Sequence, residues 1–137
     1  PPRSTLFPYT TLFRSVKTLF SGFIRSVTFP GPDGEVGALP GHALLVSKLG
    51  AGVVTTVDEN GDTIRFFCSG GFVEVSGGDI AVLADVAERD REIDVDRAAR
   101  SRQRAQERIA SGRPDIDYVR ANASLRRALD RLRAAQR

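Results

Sequence analysis

Twelve of the thirteen glycines in this chain fall before Asp85, and beyond that point only Gly112 remains. Charge divides at the same place. Residues 1–84 carry six Lys/Arg and seven Asp/Glu, whereas residues 85–137 carry fourteen Arg, no Lys and ten Asp/Glu. Glycine opens turn conformations to the backbone and weakens a helix interior by about 1 kcal/mol relative to alanine. A Gly-punctuated stretch followed by a Gly-poor, Arg/Ala-rich one cannot be one repeating architecture. It predicts two parts, one of strands and turns and one of helices.

In the first part, turn signals recur at "GPDGE" (31–35), "PGH" (40–42), "GAG" (50–52), "ENGD" (59–62), "SGG" (69–71) and "SGGD" (76–79). Between them lie short runs rich in Val, Ile, Phe and Thr, such as "FIRSVTF", "GVVTTV", "TIRFFC" and "IAVLA". Several alternate. Ile64, Phe66 and Cys68 face one way and Arg65 and Phe67 the other, while Phe72 and Glu74 oppose Val73 and Val75. Short strands with turns every roughly eight to twelve residues predict an all-β flattened antiparallel sandwich, or a flattened barrel. Asn60-Gly61 is the strongest hairpin signal, because a two-residue turn there needs positive φ.

After Asp85 the apolar period becomes helical. Val95, Ala98, Ala99, Ala105 and Ile109 fall near one face of a first helix, with Asp94 as its N-cap and Asp96 in its first turn. Ser111-Gly112 ends that run and Pro114 bars its continuation. Asp115 and Asp117 open a second helix, whose stripe is Tyr118, Ala121, Leu125, Ala128, Leu129, Leu132 and Ala135. A break of about four residues predicts an antiparallel two-helix hairpin. Its first stripe is mostly alanine, so the helices approach closely but bury little area, and two such helices alone are marginal in water. The hairpin is expected to be weakly held and able to adopt two arrangements.

Composition narrows the function. With 137 residues, one domain or a small domain plus an appendage is expected. No apolar run approaches the roughly 20 residues of a bilayer span, and Pro8, Tyr9, Thr10 and Thr11 interrupt any signal-peptide core. One Cys and one His argue against a disulfide, a cysteine metal cluster and a histidine metal site. Cys68, on an apolar strand face, reads as a buried structural thiol, and His42 as a surface-loop histidine. No nucleophile–base pair and no G-x-G-x-x-G are present, so the chain is not expected to be an enzyme by itself.

Three segments, in order, carry a resemblance: "FSGFIRSVTFPGPDGEVGALPGHALL" (20–45), "SGGFVEVSGGDIAVLAD" (69–85) and "EIDVDRA" (92–98). Together they resemble the epsilon subunit of the bacterial F-type ATP synthase, over Val16 to Arg137. The resemblance implies a sandwich at 16–86 that binds gamma and the c-ring, and a regulatory helical hairpin at 87–137. It implies a rotor subunit of the central stalk, on the cytoplasmic face of the plasma membrane. That subunit couples proton flow to ATP synthesis and restrains ATP hydrolysis when its helices extend into the catalytic alpha/beta subunits. Glu35, Pro40, Gly41 and His42 match the region placed against gamma and the c-ring. Arg120, Arg126, Arg127, Arg131 and Arg133 are then expected to face acidic segments of the catalytic subunits, the plain alternative being a solvated outer face. "IDVDRA" matches an I-D-x-x-R-A motif that binds ATP in some members, which names Ile93, Asp94, Arg97 and Ala98 for ATP as a regulatory ligand, with no cofactor required. Two positions depart from the family pattern: Leu44 stands where Pro is common, and Gly50-Ala51-Gly52 replaces K-P-G.

The family's first strand is missing, and "TLFPYTTLFRS" (5–15) stands in its place. That peptide is similar to a translated sequencing-adapter oligonucleotide, so residues 1–15 are read as a non-native leader and set aside from functional argument. Its Thr, Phe and Tyr content suits a strand in the vacant slot, with Pro8 limiting it to an edge or a break. A second functional reading starts from the sequence pI of about 9.6 and the Arg-rich tail: a small nucleic-acid-binding module. Against it stand the ten acidic residues of the same tail and the lack of an aromatic platform.

Overall fold

A computed structural model describes residues 7–14, 17–39, 44–76 and 79–136. Seven strands come first: β1 (Phe7–Arg14), β2 (Lys17–Gly31), β3 (Gly34–Ala38), β4 (Leu45–Asp58), β5 (Thr63–Ser76), β6 (Asp79–Ala84) and β7 (Ala87–Arg89). A 3-10 turn at Asp90–Glu92 leads to helices α1 (Val95–Ala110) and α2 (Tyr118–Ala134). The sheet runs β1-β6-β5-β4-β2 and closes on itself, because β2 also pairs with β1. β3 continues from the far end of β2, and β7 lies against β5. Every pairing is antiparallel except β1 with β6.

The strands are longer than the turn signals predict. "GAG" and "SGG" were expected to be turns, yet they lie inside β4 and β5 and face each other across the ladder, Leu49 opposite Gly71 and Ala51 opposite Ser69. They are bends. Before them β5 pairs with β7 through residues 66–68, and after them with β6 through residues 71–76. Gly70 and Gly71 take φ of 118° and 135°, and a Cβ at Gly71 would overlap the Leu83 carbonyl oxygen. The Asn60-Gly61 signal does mark a hairpin, but its loop is Glu59–Asp62 rather than two residues. The Asp58 carboxylate accepts from the Asn60 and Asp62 amides at 2.9 Å each, and Gly61 supplies φ 85°.

β1, read from sequence as a leader, is paired on both sides. Pro8 falls at the irregularity between Phe7 and Thr10 and one residue before pairing with β6 begins at Tyr9, so its missing N–H meets no registered partner in either ladder. The proline therefore marks a break in the ladder.

Inside the sandwich the core gathers Ile24, Val27, Phe29, Val54, Phe66, Cys68, Val73, Val75, Ile80 and Val82. Both alternations hold: Val73 and Val75 are buried while Phe72 and Glu74 are exposed, and Phe66 and Cys68 enter this core while Phe67 does not. Phe67 belongs to a second, smaller cluster with Ile93 and Ala134, flanked by Val53 and Ala135.

Asp94 and Asp117 cap the helices, each accepting a 3.0 Å bond from the amide three residues on. Gly112, at φ 65°, follows the α1 C-terminus in the left-handed conformation. α2 starts at Tyr118, so residues 111–117 form a longer connection than the expected break of about four. The buried residues along the hairpin are Ala98 and Ala105 on α1 and Ala121 and Ala128 on α2, while Ala134 joins the Phe67 cluster. Val95 and Leu129, assigned to the stripes from their spacing, are exposed. Alanine pairs bring the axes close, which leaves larger side chains at the margin of the seam.

Candidate functional site

Where the sandwich meets the hairpin, residues from four short segments surround a cavity of about 400 Å³. Glu88 comes from β7, Glu92 from the 3-10 turn, Asp94, Arg97, Ala98 and Ser101 from the start of α1, and Arg131 from α2. The cap fixes the first turn: the Asp94 Oδ1 holds the Arg97 amide at 3.0 Å, which leaves the Arg97 side chain exposed at the cavity. Three carboxylates and two guanidiniums thus share one small space. Across it, the Arg131 Nε and Nη2 both reach Glu88 Oε1, at 3.0 and 2.9 Å. The same guanidinium lies 4.4 Å from the centroid of the Phe67 ring. Its side chain is 30% exposed and that of Glu88 24%, so the pair is only partly shielded from solvent.

Of the four residues named for ATP, the structure brings Asp94, Arg97 and Ala98 to the cavity. Ile93 instead packs into the Phe67 cluster, one residue before the cap. Sequence reasoning missed Glu88, Glu92 and Ser101, and expected Arg131 to face acidic segments of the catalytic subunits or, as the plain alternative, solvent. The spacing of Ser101 from Arg97, one helical turn, was the available signal for it; Glu88 to Arg131 spans 43 positions and left none.

Among the residues assigned to partners, Glu35 is exposed on β3, while Pro40, Gly41 and His42 lie outside the described residues. Arg120, Arg126, Arg127 and Arg133 are exposed on α2. Arg127 donates to Ser124 Oγ at 3.1 Å and Arg133 lies 3.6 Å from Asp130. Arg131 points inward in this arrangement. A further surface was not anticipated: on the outer face of β4, β5 and β6, Val46, Phe72 and Leu83 are 66%, 55% and 50% exposed, with Phe72 directly opposite Leu83. Lys48 and Glu74 share this face by register.

Burial pushes the Cys68 thiol up to about 12, so it stays protonated and inert. Among the described residues there is no cluster of His, Cys, Asp and Glu suited to a metal ion, and no helix long and apolar enough to cross a membrane.

Residues 12–90 match the family described as ATP synthase, Delta/Epsilon chain, beta-sandwich domain, and residues 91–136 match ATP synthase, Delta/Epsilon chain, long alpha-helix domain. The chain is 45% identical over 120 residues to an ATP synthase epsilon chain of Desulforamulus reducens, covering 88% of this chain and 90% of that one. It superposes with a TM-score of 0.77 and 26% identity on a chain of the Euglena gracilis mitochondrial ATP synthase OSCP/F1/c-ring structure, over 93% of this chain and 80% of that one. A chain of the Tetrahymena thermophila mitochondrial ATP synthase central stalk and c-ring shares the fold at TM-score 0.54 and 12% identity, over 92% and 91%.

Proposed function

The chain belongs to the delta/epsilon family of the F-type ATP synthase, as an epsilon subunit, and from that membership we propose how its two parts divide the work. The subunit is non-catalytic. The sandwich is the part that joins gamma and the c-ring in the central stalk, and the hairpin is the part that restrains ATP hydrolysis by the catalytic alpha/beta subunits. One observation carries this division: the sandwich closes a core of its own, and among the described residues the hairpin meets it through the small Phe67 cluster, the Arg131 contacts and the Arg65–Gln136 hydrogen bond. The exposed Val46, Phe72 and Leu83 supply an apolar face of the kind that marks a subunit contact, and Glu35 lies at the opposite end of the sheet order. The complex is membrane-associated; the finer placement, peripheral on the cytoplasmic face of the plasma membrane, follows from that role.

Regulation by ATP is the second element of the proposal. Arg97 and Arg131 face the cavity with side chains suited to phosphate oxygens. Glu88, Glu92 and Asp94 offer acceptors for an adenine amino group. Because Arg131 already holds Glu88, a bound phosphate would share that guanidinium and tighten α1, α2 and β7 around one ligand. ATP would then favour the docked hairpin. The basic tail's nucleic-acid reading draws no support from the family matches.

The test is reconstitution with gamma and the catalytic subunits. The full chain should lower ATP hydrolysis, and a chain ending at Arg89 should keep gamma while losing that restraint. Loss of gamma binding on truncation would put the docking surface on the helices and refute the division.

A further inference from the structure

We propose that Phe67, Arg131 and Glu88 form a latch, and that this one junction sets how often the hairpin leaves the sandwich. The inference rests on the reading of the hairpin as a moving part. Phe67 is completely buried, yet its strand neighbours Phe66 and Cys68 point into the sandwich core on the other face. Its cover comes from elsewhere: Ile93 before α1, and Ala134 and Ala135 at the end of α2. It is the largest side chain of that cluster, so the ring offers the largest single apolar surface uncovered when the hairpin departs. Above it lies Arg131, whose flat guanidinium does two things at once. It stacks on the ring at 4.4 Å and gives two nitrogens to Glu88 at 2.9 and 3.0 Å. A lysine, as a point charge without a planar fork, cannot hold both contacts.

Among the described residues little else ties the two parts. Arg65 donates to the Gln136 carbonyl at 3.0 Å, and the hairpin meets β4 and β5 chiefly through α2. The three latch residues come from β5, β7 and α2, so swinging the hairpin outward separates all of their contacts together. Arg133, one turn-edge away on the same helix, is exposed and pairs only within α2, with Asp130. It is the matched control.

The experiment places probes at two exposed positions, Glu59→Cys in the β4–β5 loop and Asn122→Cys on α2, and reads their separation in the full chain without nucleotide. Cys68, buried and protonated, does not compete for the probes. Arg131→Gln, Arg131→Lys and Phe67→Leu should each raise the open-to-closed ratio about tenfold. The Phe67→Leu/Arg131→Gln double variant should rise by less than the product of the singles, because the two side chains share one contact. Arg133→Gln, which removes the same charge, should stay within about twofold of the parent. If Arg131→Gln opens no further than Arg133→Gln while the parent hairpin still opens, the latch is overturned and the moving hairpin stands. If the hairpin stays closed in every variant, both fall together.

Discussion

Cys68 illustrates how a single residue's burial becomes a pH-dependent property. Its thiol is held protonated in the fold, with its titration moved from 9.0 to about 12 by desolvation. In the unfolded chain it ionises near 9.0, so between these values the unfolded state sheds a proton that the folded state retains. Stability is therefore fully present below 9.0 and falls as pH rises through about 12. Denaturation across that window should show this slope, and Cys68→Ala should flatten it. Gly71 gives a second residue-scale test. Gly71→Ala would drive a Cβ into the Leu83 carbonyl at positive φ and should cost more than about 3 kcal/mol in urea melts. Gly37→Ala, with open space around it, should stay within about 0.5 kcal/mol. At the cavity, Arg97→Ala should weaken ATP binding by about tenfold or more in calorimetric titration while leaving the Asp94 cap intact, since the cap uses the Arg97 amide. Asp94 as a cap was legible in the sequence because capping is local. Arg131 over Phe67 was not, because nothing local links β5 to the last turns of α2.

At the scale of elements, the hairpin's stability follows from its alanine seam. Ala105 and Ala128 are buried between close axes, and Ala128→Leu would force the helices apart. It should destabilise the hairpin by about 1–3 kcal/mol, read by helical circular dichroism, with the strands unaffected. The helices were readable from their period and caps, but Val95 and Leu129 show where that reading fails. A stripe defined by spacing does not say which of its members sit at the margin of a close seam. The strands were readable as strands and misread in length. "GAG" and "SGG" carry turn composition, yet facing each other across a ladder they bend two long strands instead of ending them. Glycine permits both outcomes, and pairing decides between them.

For the molecule as a whole, the glycine boundary near Asp85 anticipated the passage from sheet to helices. The strand pattern allowed a flattened barrel beside a sandwich, but closure of the ring through the parallel β1–β6 pairing was not anticipated, since it joins strands far apart in sequence. Nor did composition say where the hairpin would rest. Among the described residues its contact is small and mixed: one aromatic ring, a few aliphatic groups, one half-shielded ion pair and one hydrogen bond to the backbone. Such a junction suits an element that must both dock and depart. Hydrogen exchange on the full chain in native buffer tests this most directly. Amides of α1 and α2 should exchange at least about tenfold faster than those of β4 and β5, through an opening that leaves the strands protected. A single shared rate, with helices and core strands exposed only together, would mean one cooperative unit and contradict the account.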